Sequence, residues 1–152
     1  MKTLANADDL AEILTRLDGL TPEAERQWGR MTPNQMLCHL TDAFRSALGE
    51  RPVSPASNVF TRTVLRWIAL KAPMTWPHGV RTRPEVDQEI GGTPPTSFES
   101  DAAELAGITR RFVAERSAID GHAHSIFGPM TSKEWLRWGY LHVDHHLRQF
   151  GA

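Results

Sequence analysis

The chain has 152 residues, 40% of them hydrophobic, which is enough for one ordinary domain whose core needs neither disulfides nor a structural metal. Seventeen Lys and Arg against eighteen Asp and Glu leave a formal charge of -1, so overall charge gives no argument for nucleic acid or an anionic membrane as partner. Cys38 is the only cysteine, which excludes an intrachain disulfide and makes a reducing compartment the simpler expectation. The stretch from Met1 to Leu14 carries Asp8, Asp9 and Glu12 and lacks the form of a secretory signal, so the cytoplasm is the expected location. No stretch approaches the ~20 apolar residues that span a bilayer, the best candidate being interrupted by Arg62, Arg66 and Lys71.

In chain order, a first helix is predicted after Asn6, carrying Leu10, Ile13, Leu14 and Leu17 before Gly19 ends it. Thr21-Pro22 opens a short turn or loop. Thr32-Pro33-Asn34-Gln35 combines an N-cap, a proline at the first helical position and a capping-box glutamine, predicting a helix to about Leu48. Arg51 to Ser57 is a connection, and Val59 to Leu70 reads as a third helix stopped near Pro73. From Ala72 to Ser97 the chain is dense in helix breakers (Pro73, Pro77, Pro84, Pro94, Pro95 and three glycines), which predicts a long irregular excursion. Loops of that length are usually functional. Asp101 to Glu115 is the expected fourth helix, and Gly121 to Pro129 a loop. Thr131-Ser132-Lys133-Glu134 is a second capping box, starting a last helix that reaches about Phe150. The class is therefore all-α, with four principal helices and a short extra one arranged as a four-helix bundle.

The last helix carries the chemistry. On a wheel of ~100° per residue, Trp135, Leu136, Trp138, Gly139, Val143, Leu147 and Phe150 form one broad apolar face, and His142 and His146 fall within it. Four-residue spacing puts these two imidazoles one above the other. His145 lies at the border of the face, so His142 with His146 is the inward pair. A third ligand must come from another helix, and His39 is the candidate, at the edge of the apolar face beside Gln35, Asp42 and Ser46. Three histidines with one or two open positions describe a catalytic-type Zn site, or equally Ni, Fe or Co. Asp42, Gln35 or Gln149 are candidates to orient the imidazoles or a metal-bound water. The competing reading is ordinary: a core histidine hydrogen-bonded to a carbonyl is commoner than a metal ligand.

Three segments carry a family resemblance: W-G-x-M-T-P-x-Q-M-L-x-H-L from Trp28 to Leu40, G-P-M-T-x-x-E-W from Gly128, and H-x-D-H-H-L-R-Q-F-G ending at Gly151. They resemble the DinB/YfiT-like metalloenzyme superfamily, most closely a branch catalogued only as a domain of unknown function, and the similarity covers nearly the whole chain as one domain. The resemblance implies a four-helix bundle with one crossover connection and a divalent metal, often zinc or nickel, on His39, His142 and His146. It also implies relatives that are transferases or isomerases using low-molecular-weight thiols. The leading expectation is a metal-dependent thiol transferase. A hydrolase with metal-activated water, using a carboxylate such as Asp42 or Glu134, is the alternative, and a non-catalytic metal- or ligand-binding protein is a third. The expected partner is a small-molecule substrate, with a homodimer allowed and neither nucleic acid nor membrane.

Other features read as structural. Arg51, Arg62, Arg66, Lys71, Arg81 and Arg83 precede an acidic stretch from Glu85 to Glu104, which fits a solvated face paired across the two segments better than a rim for an anionic substrate. Trp67, Trp76, Trp135 and Trp138 are expected in the core rather than around a pocket. His122 and His124 are expected to be structural or exposed, and Cys38, with only the divergent His39 beside it, is not expected to be a nucleophile.

Overall fold

The computed structural model describes residues 1–152. Its regular secondary structure is helical apart from a two-stranded hairpin, in which β1 (Ala123–His124) pairs antiparallel with β2 (Gly128–Pro129). The helices are α1 (Ala7–Asp18), α2 (Pro33–Ala47), α3 (Arg66–Lys71), α4 (Phe98–Ala114) and α5 (Ser132–Gln149). A π turn, Thr61–Leu65, leads into α3, and a single 3-10 turn, Pro84–Val86, interrupts the irregular excursion. No helix is long and apolar enough to cross a membrane.

Local chemistry accounts for the helix starts. Asn6 Oδ1 accepts from the backbone N–H groups of Asp8 and Asp9, whose carboxylates favour the positive end of α1. Both capping boxes close reciprocally: Thr32 N–H donates to Gln35 Oε1 at 2.9 Å while Gln35 N–H donates to Thr32 Oγ1, and Thr131 and Glu134 repeat the arrangement at α5. α4 begins three residues before the expected Asp101, because the Ser97 hydroxyl caps the Ser100 N–H. Asp101 is used otherwise, accepting from Thr96 N–H, Thr96 Oγ1 and Asn34 Nδ2 and so tying the end of the excursion to α2.

The main helices pack in the cyclic order α1–α4–α2–α5, with α3 against α5. α2 and α5, which carry the three histidines, are thus neighbours. Ile13, Leu17, Met36, Leu40, Phe44, Leu105, Phe112, Trp135 and Leu147 belong to one contiguous core. Gly139 lets α5 approach closely: a Cβ there would sit 2.8 Å from Leu4 Cδ1 and 3.2 Å from both Phe44 and Phe112. Trp135 and Trp138 are core residues as expected, and Trp76 is half-buried. Trp67 departs from expectation at 63% exposed, because α3 packs on the bundle through Leu70 and leaves Trp67 outside.

The excursion is stitched across α2. Asp42 is completely buried and accepts from Thr93 N–H and Thr93 Oγ1, each at 2.7 Å, and from Gln88 Nε2 at 3.1 Å. Arg51 pairs with the same carboxylate and donates to the carbonyls of Glu85 and Gly91. Arg30 pairs with Asp87 and Glu89, and Arg45 with Glu104. Basic and acidic segments therefore meet largely within the fold, and the Gln35–His39–Asp42 stripe, expected at an edge, is covered from Val86 onward by returning chain.

Candidate metal centre

His39 from α2 and His142 and His146 from α5 converge, with one ring nitrogen from each lying within 4.8 Å of the others. His39 Nε2 is 3.2 Å from His142 Nε2. Two nitrogens on a tetrahedral zinc at ~2.0–2.1 Å would be about 3.3 Å apart, so this edge already has a metal-compatible length. His39 and His146 are buried at 5% and 9% exposure, and His142 is half-buried.

The far sides of two rings determine which nitrogen faces inward. His39 Nδ1 lies 2.8 Å from the Val86 carbonyl, an acceptor only, so Nδ1 carries the proton and Nε2 keeps its lone pair. His146 Nδ1 lies 2.8 Å from Gln149 Oε1. The amide orientation of Gln149 follows from its other contact, since its Nε2 donates to the Trp28 carbonyl at 2.8 Å. His146 therefore donates from Nδ1 and also turns a lone pair inward from Nε2. Imidazoles whose outer N–H is held by a carbonyl or amide oxygen are oriented as metal ligands usually are.

Electrostatics agree. Burial pushes the pKa of His39 below the ordinary histidine value and outweighs the hydrogen bond to Val86, while burial, followed by repulsion from the neighbouring histidines, pushes His142 and His146 well below it. All three rings are neutral at pH 7 and have lone pairs available to a cation.

The other candidates separate clearly. Gln149 orients His146, as expected of it. Gln35 does not reach the cluster, because its side chain closes the α2 capping box. Asp42 makes no hydrogen bond with His39, its oxygens being taken by Thr93, Gln88 and the guanidinium groups of Arg51 and Arg45, and Glu134 is held by Thr131 and Arg66. His145 is half-buried beside the cluster and packs among Trp28, Trp76 and His78 rather than joining the triad. His122 Nδ1 bonds the Ala47 carbonyl, and His124 Nδ1 accepts from the N–H groups of Ile126 and Phe127. Both are structural. Cys38 is buried, and burial first, then Asp101, pushes its thiol up to about 12, so it is no nucleophile at neutral pH.

Three contributors escape sequence reading. Val86 acts through its backbone carbonyl, which no side-chain pattern reports. Trp28 acts through its carbonyl on Gln149 and through a ring stacked on His78 at 3.8 Å. Gly29 has φ +77°, and a Cβ there would lie 2.5 Å from Gln149 Nε2. The W-G pair opening the first motif is the available signal, since a glycine where a backbone must approach a polar side chain is a positional requirement.

The class so defined is an all-α bundle with a three-histidine cluster able to hold a metal ion between two adjacent helices. Within it, the chain belongs to the family described as "Protein of unknown function (DUF1569)", whose model matches residues 2–152. No curated protein and no solved structure matches the chain.

Proposed function

We propose that the protein is a single-domain, cytoplasmic, divalent-metal enzyme of the DinB/YfiT-like kind, holding Zn or Ni on His39, His142 and His146 and acting as a transferase on a low-molecular-weight thiol. The observation that carries the reading is the tautomer pattern: the Val86 carbonyl and Gln149 Oε1 each hold an outer N–H, which leaves the Nε2 lone pairs of His39 and His146 free in a cluster whose ligand atoms lie within 4.8 Å of one another. A core in which histidines merely satisfied carbonyls would have no reason to bring three ring nitrogens together. The motifs on α2 and α5 and the helical bundle support the superfamily assignment.

A divalent ion on three neutral imidazoles retains open positions and, when bound, lowers the pKa of a coordinated thiol or water. The chain's own groups favour thiol over water. Attack by water profits from a nearby carboxylate base, and the two candidates, Asp42 and Glu134, are engaged in hydrogen bonds elsewhere. A thiol needs no such base once it is ionised. His39 and His146 supply fixed nitrogens, Gln149 and Val86 hold them, and Trp76 and Trp138 flank His142, restricting water around it.

The test is a Co(II)-substituted protein titrated with bacillithiol, mycothiol or glutathione at millimolar concentration. A new thiolate charge-transfer band with one of them, followed by conjugation of an added electrophile, is expected. No spectral change with any of the three moves the function to a hydrolase or to a metal-binding protein without turnover.

A further inference from the structure

On the side of α5 away from the core, a cleft of about 630 Å³ opens between α1, α5 and the start of the excursion. Its size is that of a small-molecule site. Among the side chains lining it, four are cations, Lys2, Arg16, Arg137 and Arg148, against two carboxylates, Glu12 and Asp144, an excess of two positive side-chain charges, and Arg16 also donates to the main-chain oxygen of Ala152 at 3.0 Å. The pairing pattern shows where the excess lies. Lys2 pairs with Glu12, while Arg16 and Arg148 share Asp144. Arg137 has no carboxylate partner: its Nε and one terminal nitrogen donate only to the carbonyls of Leu70 and Lys2. A guanidinium held by two neutral oxygens keeps its full charge for a further anion.

The opposite wall is apolar. It includes Met74 and Trp76 from the start of the excursion, and the Trp76 indole N–H is fixed by the Ala69 carbonyl at 2.9 Å, so the ring is positioned and its polar edge is satisfied. Trp76 and His145 also link the cleft to the metal centre. The Trp76 ring lies 6.1 Å from that of His145 and 6.0 Å from that of His142, and His145 lies 5.3 Å from His146. One tryptophan and one histidine thus form the partition between a cationic cleft and the half-buried triad ligand.

We infer that this cleft is the binding site for a small organic anion with a flat apolar body, its carboxylate or phosphate received at Arg137 and its body against Trp76. As a substrate site it rests on the metal reading, which gives the shared wall its meaning; as an anion site it does not. A neutral ligand would leave the excess charge unanswered, and a cation would be repelled by it.

Calorimetric titration with 2-naphthoate, 2-naphthyl phosphate and 2-naphthamide, on metal-loaded and on chelated protein, tests this. Both anions should bind at least ~10-fold more tightly than the amide, since one desolvated charge contact is worth about 1.4 kcal/mol or more. The better anion identifies the head group. Arg137→Gln should remove the preference while leaving amide binding unchanged, and Arg148→Gln, at an exposed position whose ion pair with Asp144 contributes little to stability, should reduce it in the same direction. Trp76→Ala should weaken all three probes. Equal binding of anions and amide, or a preference that survives both arginine substitutions, overturns the inference. Anion preference that persists in protein unable to take up metal would sustain the cleft while ending the metal reading, and metal uptake without anion preference would do the reverse.

Discussion

Gln149 accepts the Nδ1 proton of His146 at 2.8 Å while its own amide donates to the carbonyl of Trp28, so one side chain ties the loop before α2 to a ligand on α5. Because φ at Gly29 is +77° and a Cβ there would meet the Gln149 amide at 2.5 Å, Gly29→Ala should displace that amide and free the His146 ring. Gln149→Met removes the acceptor at similar volume. Each should weaken metal binding by ~10–100-fold, the range for groups that orient ligand histidines. Competition against a chromogenic chelator measures this, and unchanged affinity in both variants contradicts the orienting role.

His145 and His146 are adjacent in sequence, yet only His146 turns a nitrogen into the cluster. His146→Ala should therefore reduce metal affinity well beyond the effect of Gln149→Met, whereas His145→Ala should leave it nearly intact. The same titration reads both. Equal losses would mean that the ligand set is wrong.

Stability should fall in mild acid, and His124 offers a way to measure its share. Its ring packs against Phe127, Trp135 and Trp138, and burial lowers its pKa from 6.5 to about 4. The unfolded chain binds a proton near pH 6.5 that the folded chain refuses until about pH 4, so stability is lost as pH falls through that window and is unaffected above it. At 1.36 kcal/mol per unit the contribution is about 3 kcal/mol. His124→Asn keeps an acceptor for the Ile126 and Phe127 N–H groups but does not titrate. Denaturant midpoints of chelated protein between pH 7.5 and 4 should therefore converge with, or cross, those of the wild type as pH falls. Parallel curves would show that His124 titrates normally.

How much of this was legible in the sequence divides along local and non-local lines. Asn6, Thr32 and Thr131 act on N–H groups two or three residues away, so the starts of α1, α2 and α5 could be read directly. The start of α4 lies three residues before the expected Asp101, because Ser97 caps it and Asp101, within the first turn, spends its oxygens on Thr96 and Asn34. The phase of α5 put His142 and His146 inward, since seven apolar neighbours define that face. The environment of His39 was less legible. A helical wheel registers only its own helix, and the chain that buries His39 and Asp42 returns from positions 86 to 93. The same non-locality hid the true partners of Asp42 and Gln35, which were candidates for the metal centre by proximity alone.

Metal stoichiometry is the sharpest probe of whether His39, His142 and His146 form one site. Tag-free protein purified and then equilibrated with Zn(II) or Ni(II) should retain about one ion per chain by mass spectrometry, in line with three ligands and open positions. His39→Ala, His142→Ala and His146→Ala should each abolish that retention while circular dichroism stays helical, because the core does not depend on the ion. Undiminished metal in the three variants, or no retained metal in the wild type, would contradict the account.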